Sequence, residues 1–69
     1  MVDETFASYR LSAACHTPFW EVTIFNQAGY QMVPKVGIIR SYNLQVALAQ
    51  ARLVIRNAEL GQEELRPIL

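Results

Sequence analysis

Sixty-nine residues, 52% of them hydrophobic, with six basic and six acidic side chains cancelling to zero net charge, are expected to form one small domain. The charge balance disfavours nucleic acid as a partner, because binding to phosphates normally shows as a basic excess. The single cysteine, Cys15, excludes an internal disulfide, and one Cys with one His cannot supply the four ligands of a zinc site.

A chain this short buries only roughly 60% of its unfolded surface. With disulfide and metal set aside, a partner chain is the expected source of added stability, most simply a second copy in a homodimer, with another protein as the other option. The opening MVDETFASYR carries Asp3 and Glu4 and no uninterrupted apolar core, so it does not read as a signal peptide. No apolar run approaches the ~20 residues of a membrane span. The lone cysteine fits a reducing compartment, and the expected location is the cytoplasm, with no membrane partner.

In chain order, residues 1–4 are expected to fray. Residues 5–16 read as a strand, with Tyr9, Leu11, Ala13 and Cys15 on one face and Arg10, Ser12, Ala14 and His16 on the other. Pro18 lacks an N–H for a ladder and marks a turn. A second strand spans 19–25, with Trp20, Val22 and Ile24 on one face and Phe19, Glu21, Thr23 and Phe25 on the other. Asn26-Gln27-Ala28-Gly29 suits a type I turn with glycine free to take φ > 0. A third strand is expected over 30–36, where Pro34 argues for a sheet edge.

Residues 41–60 read as the one long helix. Leu44, Ala47, Leu48, Ala51, Val54, Ile55 and Ala58 recur at steps of three and four on one side. Ser41 is the expected N-cap and Gly61 the residue just past the last turn. At 100° per residue, Val46, Leu53 and Leu60 line up on the opposite face. Gln45, Arg52, Arg56 and Glu59 form one flank between the two stripes, and Gln50 and Asn57 the other. Residues 61–69 form a tail ending in two apolar side chains. The predicted fold is therefore α+β: a three-stranded antiparallel meander over 5–40, followed by one C-terminal helix packed on one sheet face.

No motif here is enzymatic. Cys15 and His16, adjacent on a strand, point to opposite faces and cannot form a nucleophile–base dyad. Asp3, Glu4, Glu63 and Glu64 lie in the termini, and Glu21 is isolated between Trp20 and Val22. The glycines at 29, 37 and 61 stand too far apart to cradle a phosphate. No cofactor and no metal is expected.

The run Trp20-Glu21-Val22-Thr23-Ile24, then Gly29, then Val36-Gly37-Ile38-Ile39-Arg40-Ser41 followed by Ala47 and Ala51, resembles two kinds of DNA-binding domain. These are the plant ethylene-response-factor domain and the arm-type domain of phage integrases, and the resemblance covers about residues 9–55. It implies a three-stranded sheet plus helix that reads DNA with its sheet face. The outer positions here are Arg10, Ser12, Ala14, Glu21, Thr23 and Phe25, with one arginine and one acid where those families carry several arginines, and Ile39 replaces an aromatic residue.

Two functional expectations follow. The leading one is a non-enzymatic module that binds another protein chain, most simply itself, through Val46, Leu53 and Leu60, with Phe19 and Phe25 on the bare sheet face as further interface candidates. Leu65 to Leu69 folded back over the helix stripe would instead satisfy it within one chain. The second is an accessory DNA-binding domain, with Arg10, Lys35 and Arg40 on phosphates and Trp20 or Phe25 stacking or packing near the groove.

Overall fold

The computed structural model describes residues 1–68. In chain order it contains β1 (Val2–Phe6), β2 (Tyr9–His16), β3 (Phe19–Phe25), β4 (Gln31–Pro34), β5 (Ile39–Ser41), α1 (Leu44–Glu59) and β6 (Leu65–Pro67). The sheet is wholly antiparallel, in the order β1-β2-β3-β4-β6, with β5 also paired to β3. The α+β class holds, but a three-stranded meander does not: six strands among the described residues replace it.

Three local causes account for the difference. Residues 2–6 do not fray, because alternating Val2, Glu4 and Phe6 face the helix side and pair with β2 from Val2 opposite Ala13 to Phe6 opposite Tyr9. The expected single strand over 5–16 is broken by a two-residue turn. Ala7 and Ser8 both adopt positive φ, 49° and 71°, as a tight hairpin in the primed turn family requires. Third, the tail does not fold over the helix. It pairs as β6 with β4, Pro34 opposite Leu65, so β4 is flanked on both sides while Pro34 itself is paired on one side only. Leu69 lies outside the described residues.

β4 and β5 share the same flank of β3. Ile24 pairs with Met32, yet two residues back along β3, Val22 pairs with Ile39 rather than Pro34. The chain loops out between, through Lys35, Val36, Gly37 and Ile38. This loop is anchored by Gly37 N–H donating to the Pro34 carbonyl at 2.9 Å and by Lys35 N–H donating to Glu63 Oε1 at 3.2 Å. Gly37 takes φ +101°, a conformation that side-chain-bearing residues rarely adopt.

The core lies between α1 and one sheet face. Leu11, Ala13, Val22, Ile24 and Ile39 from the strands meet Ala47, Leu48, Ala51 and Ile55 from the helix. Leu11, Ala13, Val22 and Ile24 belong to the alternating sets legible in the sequence, Ile39 does not, and the helix positions belong to the first apolar stripe. The helix begins later than expected. Asn43, not Ser41, is the N-cap, its Oδ1 accepting from Val46 N–H at 3.1 Å. Ser41 ends β5, and its hydroxyl accepts from Asn43 N–H. At the other end Gly61 donates to the Ala58 carbonyl and Gln62 to the Asn57 carbonyl, closing the helix in a Schellman motif. No helix among the described residues is long and apolar enough to cross a membrane.

Candidate association face

With α1 on one side of the sheet, the molecule presents two outer faces, and each collects some of the candidate residues. On the outer sheet face the register sets Arg10 opposite Phe25, Ala14 opposite Glu21 and Glu21 opposite Arg40. Arg10 extends over the Phe25 ring, 4.4 Å from its centroid, and reaches Asp3 at 3.6 Å. Arg40 meets Glu21 at 3.2 Å, and Phe19 packs against Tyr42 with centroids 4.6 Å apart. Phe19 and Phe25 are thus half-buried under neighbours rather than bare.

The nucleic-acid candidates do not converge. Arg10 and Arg40 lie on the outer sheet face, each beside a carboxylate. Trp20 shares the face of Val22 and packs against the core on the helix side. Lys35 sits in the β4–β5 loop. Four residues that would have to meet one phosphate backbone are spread over two faces and a loop.

The outer face of α1 is different. Val46, Leu53 and Leu60 are 46%, 58% and 66% exposed, in a line along the helix. Leu53 is the common wall of two depressions. One, of about 280 Å³, is lined by Phe6, Ala49, Arg52, Leu53 and Arg56. The other, of about 370 Å³, lies against the β4–β5 loop and includes Val36 and Ile38. Val36 is 83% exposed and Ile38 52%, so the apolar surface continues from the ridge onto the loop. Sequence reading missed this second component, because the chain between Pro34 and Ile39 has no periodicity that would place it beside the helix.

Arg52 binds Glu4 through Nη1, 2.7 Å from one carboxylate oxygen and 3.0 Å from the other. This pair ties edge strand β1 to α1 and gives Glu4 a role that its terminal position did not suggest. It also bears on the sheet edges. A charged residue pointing inward from an edge strand discourages another strand from pairing there, and Glu4 occupies that position in β1. At the other edges, β5 is three residues long, and β6 is three residues long and ends in Pro67. Edge-to-edge pairing is therefore poorly supported, which leaves the helix face as the continuous apolar surface.

Among the described residues no group of three or more His, Cys, Asp or Glu is placed to hold a metal ion. Cys15 is exposed, with its sulfur 3.9 Å from the Thr17 hydroxyl. His16 is exposed on the other face, 4.0 Å from Glu21. Compared with family models, curated proteins and solved structures, the chain matches none.

Proposed function

We propose that this protein is a non-enzymatic module of the cytoplasm that acts by protein–protein association, and that its partner is a second copy of itself. The single observation that carries this reading is the bare ridge Val46–Leu53–Leu60 on a helix whose opposite face already fills the core. A soluble monomer seldom exposes a contiguous apolar patch of this kind without a use for it.

Magnitudes set the expected strength. Fully burying a Val, Leu or Ile side chain gains about 1.5–3 kcal/mol. Covering the exposed parts of Val36, Ile38, Val46, Leu53 and Leu60 on both copies gains on the order of 10 kcal/mol. Association itself costs about 4–15 kcal/mol, so at most about 6 kcal/mol survives and the dimer is weak, with a Kd no tighter than about tens of micromolar.

Sedimentation velocity across a concentration series from about 1 µM to 1 mM tests the reading. A rise from monomer to dimer within that range supports it; a well-folded monomer throughout removes it. The DNA-binding alternative is the weaker reading, because its cations are either paired with Asp3 and Glu21 or lie apart from the sheet face. A mobility shift with duplex DNA at low salt would revive it.

A further inference from the structure

We propose that Met32 is an oxidation site: hydrogen peroxide converts its thioether to the sulfoxide, and the change loosens the seam between β3 and β4. This goes beyond the association reading and does not depend on it.

The seam is thin, and Met32 is half of it. β4 joins β3 through two register pairs, Ile24 with Met32 and Phe25 with Gln31, whereas β2 and β3 share seven. Met32 is half-buried and packs against the core cluster. Its sulfur accepts a hydrogen bond from Asn26 Nδ2 at 3.6 Å. That amide belongs to the turn leading into β4, and its other end is already fixed, Asn26 Oδ1 accepting from Tyr30 N–H at 2.9 Å. The sulfur therefore stands where turn, seam and core meet. Met1, the other methionine, is 87% exposed and lies outside every strand.

In the reaction a sulfur lone pair attacks one peroxide oxygen. The S–O bond forms as the O–O bond breaks, and the second oxygen leaves as water with both protons. Sulfur gives up two electrons and peroxide takes them. A flexible apolar side chain becomes a polar, chiral one. The added oxygen has two directions open to it. Toward the turn, it comes between Sδ and Asn26 Nδ2 and crowds an amide held by Tyr30. Toward the core, it enters an interior with no buried polar side chain among the described residues, where an unpaired acceptor is costly. Either direction strains the two-pair seam. The effect stays in β4 and in β6, which reaches the sheet through β4.

Hydrogen peroxide treatment of the full chain carrying Cys15→Ser tests the proposal, since the exposed thiol would otherwise be oxidised as well. Peptide mass spectrometry follows each methionine, and hydrogen exchange follows each strand. Met1 is expected to oxidise first and without structural consequence. Met32 then gains one oxygen, and the amides of β4 and β6 exchange about tenfold faster or more, with those of β2 and β3 unchanged. Methionine sulfoxide reductases for both epimers restore the original rates. Met32→Leu, which keeps volume and apolar character, removes the response to peroxide. Met32 left unoxidised where Met1 is fully converted overturns the site. Unchanged exchange in β4 and β6 after Met32 is converted overturns its role. Equal acceleration in β2 and β3 would mark a lesion of the whole core, and a Met32→Leu protein that still responds would place the cause elsewhere; each result removes the proposal.

Discussion

The outer sheet face and the outer face of α1 carry comparable apolar content and treat it in opposite ways. On the sheet, Phe25 lies under Arg10, and Phe19 lies against Tyr42 within reach of Arg40. The guanidinium groups themselves lie over the rings and also meet Asp3 and Glu21. On the helix, Arg52 and Arg56 are drawn sideways, toward Glu4 and over Phe6, and leave Leu53 uncovered. The lesson is that an apolar residue on a surface becomes a candidate interface only where no long polar neighbour can lie across it.

The comparison can be sharpened by mutation, beginning with the two sides of α1. Ile55→Ala, on the fully buried side, is expected to cost about 2–5 kcal/mol of folding stability. Leu53→Ala, on the outer side, should cost about 0.5 kcal/mol or less in dilute protein. Urea unfolding below the association range measures both. Equal losses would mean that Leu53 is packed in the monomer.

Leu53→Glu is expected to weaken self-association by about 2 kcal/mol, roughly 30-fold in Kd, while leaving dilute-protein stability nearly unchanged. Truncation after Gly61 should do the reverse, since it removes β6 and the packing of Leu65 on the core but no part of the ridge. If the truncated protein loses its dimer at concentrations where it is still folded, the tail, or the Val36 loop that Glu63 anchors, belongs to the interface.

Phe25→Ala removes the ring beneath Arg10 and should cost about 1 kcal/mol of stability. It should not alter sedimentation, since that face is self-covered; a shift toward monomer would assign the interface to the sheet. The smallest effect is expected at the surface pair Glu64–Arg66, 3.1 Å apart. A hydrogen bond from Arg66 and its charge hold the Glu64 carboxyl below its ordinary range. A carboxylate with a lowered folded-state pKa stabilises above its unfolded value, and the contribution is lost as pH falls through the lowered one. Glu64 is fully exposed, so Glu64→Gln should flatten the acid limb of the stability curve only slightly, and salt should erase the difference.

How much was legible depended on whether a residue's neighbours in sequence were also its neighbours in space. The alternation of Leu11 with Ala13 and of Val22 with Ile24 gave the buried register of β2 and β3. The three- and four-residue steps gave the inner face of α1. The turn at Asn26–Gly29 was legible from its residue types, and it closes with Gly29 N–H donating to the Asn26 carbonyl at 3.0 Å. The Ala7–Ser8 turn was not, because neither residue favours positive φ and tertiary pairing imposes it. β5 and β6, three residues each, are too short to show a period.

At the candidate site the ridge was readable from its spacing of seven. The contributions of Val36, Ile38 and Phe6 were not, because they depend on the β4–β5 excursion and on β1. Trp20 illustrates an inference available but not drawn: the alternation that groups it with Val22 already separates it from Arg10.

The interruption between β4 and β5 has a consequence for how the molecule opens. β6 is held through β4, and β4 meets β3 only at Ile24 and Phe25, whereas β2 and β3 are zipped from Arg10–Phe25 to His16–Phe19. The β4–β6 ribbon is therefore a flap on a firmer body formed by β2, β3 and α1. Amide protons in the ribbon should exchange with solvent through a low-energy local opening, while those of β2 and β3 await global unfolding. Glu63, which anchors the Val36 loop, lies just before β6. Each opening of the flap would release that loop, so slower amide exchange in the ribbon at higher protein concentration would register a second copy resting on it.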